Sequence, residues 1–215
     1  NAPAIGGEAM RRLRPLLELA ERLGRLAAAI ADGAIEGVEV RYAGAAEDAL
    51  QPLAAAAVAG TLAGVVGRPA VNLVNALHLA RARGIAVRQV RLGPHGDYLE
   101  YVELRVAGGG APRVAGALLG AGHARIVRIG DYHVDVPPRG TLVVLRNRDV
   151  PGVIGRVGTL LGGAGINIGE YHQARLEAGG VALAAISVDG RLPAEVVEGL
   201  RRIPEVSEVR QVQLD

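Results

Sequence analysis

The residues best suited to chemistry lie in one short stretch, Arg146-Asn147-Arg148-Asp149-Val150-Pro151-Gly152-Val153-Ile154-Gly155, with Gly165-Ile166-Asn167-Ile168 following further on. The apolar spacing predicts a strand ending near Arg146 and a helix opening at Gly152, so the loop between them lies over a helix N-terminus. Amides in the first helical turn lack an intrahelical acceptor and carry the positive end of the dipole, which suits them to a carboxylate. Asp149 stands a few residues ahead of that turn, where it is either the helix cap or an anionic group facing a ligand. The same reading puts Asn147 and Asn167 on adjacent strand ends. Two amide side chains there could hold a polar ligand, or do ordinary turn chemistry.

Other chemistry is missing from the sequence. There is no cysteine, which removes disulfides, thiolate metal sites, iron-sulfur clusters and cysteine nucleophiles. His78, His95, His123, His133 and His172 show no metal-ligand spacing on a helix face. No P-loop, H-E-x-x-H or G-x-S-x-G occurs, and no strand is followed by a G-x-G-x-x-G turn that opens a helix. Gly162-Gly163-Ala164-Gly165 closes a predicted helix instead of starting one, so it reads as a cap and turn. The expectation is a chain with no catalytic residues, no metal and no cofactor of its own.

Composition bounds the partners. The formal net charge is +2 with the charges interleaved, all 24 of the Lys+Arg residues are Arg, and Phe and Trp are absent. A nucleic-acid partner would want a basic stripe or stacking aromatics, so none is expected. No apolar run has the length of a membrane span and nothing resembles a signal peptide, so a soluble cytoplasmic protein is the default expectation.

At 215 residues, 50% hydrophobic, the chain has enough apolar surface for two small cores. Apolar residues at threes and fours predict an amphipathic helix from Glu8 to about Ala31. Alternation at Val38, Val40 and Tyr42 predicts a strand. Leu50 to Val66 reads as a helix with Pro52 in its first turn, and a second helix runs from about Asn72 to Arg83, ending at Gly84. Ile85–Val90, Tyr98–Val106, Arg113–Leu119, Arg125–Ile129 and Tyr132–Val136 read as strands of an antiparallel meander. Pro137-Pro138-Arg139-Gly140 looks like a linker. Beyond it the order βαββαβ, a ferredoxin-like split unit, spans Thr141 to Leu214.

The segment from Thr141 to Asp215 resembles an ACT domain, carrying Asp149-Val150-Pro151-Gly152-Val153-Ile154-Gly155 and then Gly165-Ile166-Asn167-Ile168. Upstream, Glu18-Leu19-Ala20-Glu21-Arg22-Leu23-Gly24-Arg25-Leu26, Val71-Asn72-Leu73-Val74-Asn75-Ala76 and Ala82-Arg83-Gly84-Ile85 resemble the C-terminal half of long-form D-3-phosphoglycerate dehydrogenase. The resemblance covers essentially the whole chain. It implies an α+β fold: an α+β allosteric substrate-binding domain at 33–138, then a ferredoxin-like βαββαβ ACT domain at 141–215. It makes residues 1–32 a helix leading from catalytic domains expected to lie before Asn1.

The resemblance further implies a parent enzyme that oxidises 3-phosphoglycerate with NAD in the first step of L-serine biosynthesis, with L-serine as feedback effector. On the matching positions, Asn147, Asp149 and Asn167 contact serine. Asp149 pairs the ammonium, and amides around Val153 and Ile154 take the carboxylate. Serine is held at a two-fold seam between ACT domains, so self-association into a dimer or tetramer is expected. Arg125, Arg128, His133 and Arg139 are candidates for a phosphorylated effector or the substrate itself, although one basic position of the family is Pro137 here. The β-subunit of L-serine dehydratase has a similar plan but carries a Ser-Ser-Ser-His segment absent from this chain. A free-standing amino-acid sensor is the other alternative.

Overall fold

The computed structural model describes residues 7–66, 71–96, 98–110, 112–120 and 122–215, with the side chains of all of these except 7–12 and 64–66. The chain forms two compact units, residues 1–125 and 126–215. The first contains α1 (Gly7–Ile30), β1 (Ile35–Ala43), α2 (Leu50–Val66), α3 (Ala76–Ala82), β2 (Ala86–Arg91), β3 (Glu100–Gly108) and β4 (Arg113–Leu119). Strand β5 (His123–Ile129) straddles the division. The second holds β6 (Tyr132–Val136), β7 (Thr141–Arg148), α4 (Val153–Gly163), β8 (Ile168–Arg175), β9 (Val181–Val188), α5 (Ala194–Arg201) and β10 (Val206–Gln213). This is the expected α+β class, ending in the expected βαββαβ order.

In the first unit, alternation puts Val38, Val40 and Tyr42 of β1 beside Val106, Leu104 and Val102 of β3 on one buried sheet face. Helix α1 lies against β3 and β4, and α2 against β1 and β2. The stripe Leu13, Leu16, Leu17, Ala20, Leu23 and Ala27 of α1 is buried, while Arg14 reaches Glu18 at 2.9 Å on the wet face. Helix α2 is apolar all round and correspondingly buried, from Leu53 to Leu62.

Two expectations for this unit need correction. Strand β2 does not continue an antiparallel meander: it runs parallel to β1, from Gly37 opposite Ala86 to Tyr42 opposite Arg91. Helices α2 and α3 supply the crossover that a parallel pair requires. The helix expected from Asn72 begins only at Ala76. Asn72 Oδ1 accepts the Val74 and Asn75 amides at 2.9 and 3.1 Å, and Asn75 Oδ1 accepts the Asn72 amide at 2.8 Å. Asn side chains thereby take donors that a regular first turn would leave free, forming a turn ahead of the helix.

The second unit's sheet has the order β10-β7-β9-β8, with neighbours antiparallel. Its core joins Val143 and Leu145 of β7 and Ala184 and Ile186 of β9 to Val153, Val157 and Leu161 of α4 and Val196 and Leu200 of α5. Burying each of the leucines contributes about 1.5–3 kcal/mol. Among the described residues no helix is long and apolar enough to cross a membrane.

Candidate functional site

The loop after β7 is held from both sides. The Arg148 amide donates at 2.9 Å to Glu205 O, just ahead of β10, and the Asp149 amide at 2.8 Å to Gly180 O in the turn between β8 and β9. Gly152 then adopts φ 90°, a left-handed conformation that a side chain would strain, and turns the chain into α4. The first bond of the helical ladder runs from Arg156 N to Gly152 O at 3.0 Å. The amides of Val153, Ile154 and Gly155 therefore stand ahead of the ladder. Val153 buries its side chain in the core and Ile154 is 51% exposed, so α4 is anchored by one residue and opens to solvent at the next.

Asp149 is not the helix cap: no side chain caps α4. Its Oδ2 accepts Arg175 Nη1 at 2.8 Å and the Gly179 amide at 3.4 Å, and its Oδ1 accepts Gln173 Nε2 at 3.4 Å. The hydrogen bond from Arg175 is the largest influence holding this carboxyl below its ordinary range; desolvation opposes it, and the Gly179 amide, the Arg175 charge and Gln173 add to the lowering. Gln173 also accepts from the Tyr171 hydroxyl at 3.4 Å, and burial pushes that hydroxyl up to about 12. Asp149 is thus the end of a polar row along β8.

Asn147 is 1% exposed. Its Nδ2 donates to Arg148 O at 2.7 Å, but its buried Oδ1 has no donor. A buried acceptor without a partner is uncommon, and this one lies two residues from Asp149 in sequence.

Asn167 lies elsewhere, and the expectation of adjacent strand ends is corrected here. Asn147 pairs with Ala182, which pairs with Arg175 at the end of β8; Thr141 pairs with Val188, which pairs with Ile168 at its start. Asn147 and Asp149 therefore occupy one end of the sheet and Asn167 the other, roughly 20 Å away at a strand's rise per residue. Asn167 Nδ2 donates to Asp189 Oδ2 at 2.9 Å. Local patterning places each residue on its element but not strands β7 and β8 relative to one another, because β9, later in sequence, intervenes.

Of the basic candidates, Arg128 and His133 come together across the β5–β6 hairpin, Arg128 Nη2 lying 2.9 Å from His133 Nε2. Arginine has only donors, so the ring accepts at Nε2. Arg125 lies on β5 and Arg139, exposed, in the segment before β7. Sequence reasoning missed Arg175, Gln173 and Asp189; the Gly179-Gly180 turn, which folds β8 back toward Asp149, was the available signal.

Among the described residues no group of three or more His, Asp and Glu side chains could hold a metal ion. The glycine cluster at 162–165 closes α4: Ile166 N donates to Leu161 O at 2.9 Å and Gly165 N to Gly162 O at 3.0 Å. Its amides are spent on a helix C-terminus and do not form a dinucleotide cradle.

The family model described as the D-3-phosphoglycerate dehydrogenase intervening domain matches residues 12–130. All of the chain aligns at 34% identity with D-3-phosphoglycerate dehydrogenase of Synechocystis, covering 39% of that protein. It aligns likewise at 30% with that of Methanocaldococcus jannaschii and at 29% with that of Bacillus subtilis, covering 41% of each. The chain spans about two fifths of the length of these relatives and matches their C-terminal part. With the family model matching more than half of its residues, the chain belongs to the D-3-phosphoglycerate dehydrogenase intervening-domain family.

Proposed function

We propose that this chain is the regulatory part of an NAD-dependent D-3-phosphoglycerate dehydrogenase, and that its ferredoxin-like unit is an ACT domain binding L-serine as feedback effector. NAD and the chemistry of hydride transfer belong to the rest of the parent protein. The observation that carries the reading is the orphaned, buried Oδ1 of Asn147 two residues from the Asp149 carboxylate, at the open start of α4. Serine presents the matching groups. Its ammonium goes to Asp149, its carboxylate to the amides of Val153 and Ile154, and a further donor to Asn147.

Asn167 is too far from Asp149 to touch the same small molecule within one chain. In this reading it comes from a second copy, so the site forms across a seam between two ACT domains in a dimer or tetramer. In the same reading a phosphorylated effector or the substrate binds the basic hairpin at Arg128 and His133, with Arg125 and Arg139 on either side in sequence. Phosphate binding that survives Arg128→Ala removes that part of the reading.

Calorimetry of L-serine binding to this chain is the direct test. Binding is expected at up to millimolar serine, and Asp149→Ala is expected to weaken it about tenfold or more, the scale of a charged hydrogen bond. Unchanged affinity in Asp149→Ala, or no binding by the unsubstituted chain, overturns the serine site.

A further inference from the structure

The Asp149 carboxylate already has a cation. Arg175, at the last residue of β8, reaches Oδ2 at 2.8 Å, and the Gly179 amide adds a longer bond to the same oxygen. Oδ1 keeps only the long contact to Gln173 at 3.4 Å. An ammonium arriving at Oδ1 would stand within a few ångströms of the Arg175 guanidinium, and two like charges on one carboxylate repel. The two partners are unequally placed. Arg175 is 61% exposed in its side chain and Asp149 15%, so the guanidinium can swing into water at little cost while the carboxylate stays. With its guanidinium in solvent, such a pair is weak enough to be broken by a ligand with a second anchor.

We propose that Arg175 is an internal counter-ion that fills the cation subsite at Asp149 while the site is empty, is displaced by the ammonium of an amino-acid ligand, and so sets the affinity of the site. The inference rests on the amino-acid-binding reading of Asp149 given above. Under it, Arg175 makes no contact that the bound state needs; its role is to hold the carboxylate charged and oriented until the ligand arrives, at the expense of affinity. Gln173, neutral and on the same strand, can stay in place alongside the ligand.

The test compares the unsubstituted chain with Arg175→Met, which keeps the apolar stem, Arg175→Gln as a second neutral form, and Arg175→Lys, which keeps the charge. L-serine affinity is measured by calorimetry at low salt, with circular dichroism confirming the fold. Both neutral variants are expected to bind L-serine about three- to fivefold more tightly, and Arg175→Lys about as tightly as the unsubstituted chain. 3-Hydroxypropionate, which is serine without its amine, is expected to gain nothing from Arg175→Met. Serine binding that is unchanged or weaker in both neutral variants overturns the counter-ion role and leaves the Asp149 site standing. A gain shared equally by 3-hydroxypropionate also overturns it, because the effect would then not concern the ammonium. Absence of serine binding by the unsubstituted chain instead removes the underlying reading, and this inference with it.

Discussion

Two carboxylates in this chain stay charged for different reasons. Glu103 on β3 is 7% exposed in its side chain, and that burial alone would raise its pKa. Hydrogen bonds from Arg105 at 2.6 Å and the Tyr101 hydroxyl at 3.0 Å, together with the charges of Arg105 and Arg41, outweigh the burial and hold the carboxyl below its ordinary 4.5. Tyr101 is itself fixed, its ring 4.0 Å from that of His95. A carboxyl with a depressed folded pKa stabilises the fold at neutral pH, and that contribution fades as the pH falls from the unfolded value down through the folded one. Glu103→Gln should therefore unfold at a lower urea midpoint than the unsubstituted chain at pH 7, with the gap narrowing in acid below pH 4.5. Glu103→Ala should cost about 2 kcal/mol or more, since it leaves Arg41 and Tyr101 without their buried acceptor. Asp149, by contrast, is held low chiefly by one exposed arginine. Its place in the loop ahead of Pro151-Gly152 was legible; its partner was not, since Arg175 is separated from it by a helix and a strand.

Elements in the first unit meet more closely than their sequences announce. A Cβ on Gly24 of α1 would collide with the carbonyl oxygen of Ala57, and one on Gly60 of α2 with that of Glu21, so the two helices touch backbone to backbone at reciprocal glycines. Gly60→Ala should destabilise the chain by about 1–3 kcal/mol in urea unfolding, because overpacking outweighs the helix propensity gained. Gly158→Ala on α4 should do the opposite and add about 0.5–1 kcal/mol, because a Cβ there meets nothing within 4 Å. Both positions look alike in the sequence, as glycines inside amphipathic or apolar runs. Composition found α2 at its observed bounds, and patterning found all four strands of the last sheet, because those signals are local. Neither could reveal the parallel pairing of β2, which depends on where α2 and α3 return the chain, nor the late start of α3, which depends on two side chains bonding each other's backbone.

At the scale of the whole molecule, the ends of the second unit's sheet carry complementary halves of one proposed site, Asn147 with Asp149 at one end and Asn167 at the other. If serine needs both halves, each site takes Asp149 from one copy and Asn167 from its partner, and a two-fold dimer carries two such sites. Asp149→Ala breaks both sites of its own dimer, and Asn167→Ala breaks both of its own, the latter by about 1–2 kcal/mol for a lost neutral hydrogen bond. Mixing the two variants changes the count. In a mixed dimer one site carries both substitutions, while the other combines the intact Asp149 of one copy with the intact Asn167 of the other. After subunit exchange, calorimetry should therefore recover high-affinity serine binding at one site per mixed dimer, although neither variant shows it alone. A site built within a single chain gives no recovery on mixing, and that outcome would remove the seam from the proposal while leaving the loop at Asp149 to be tested by its own substitution.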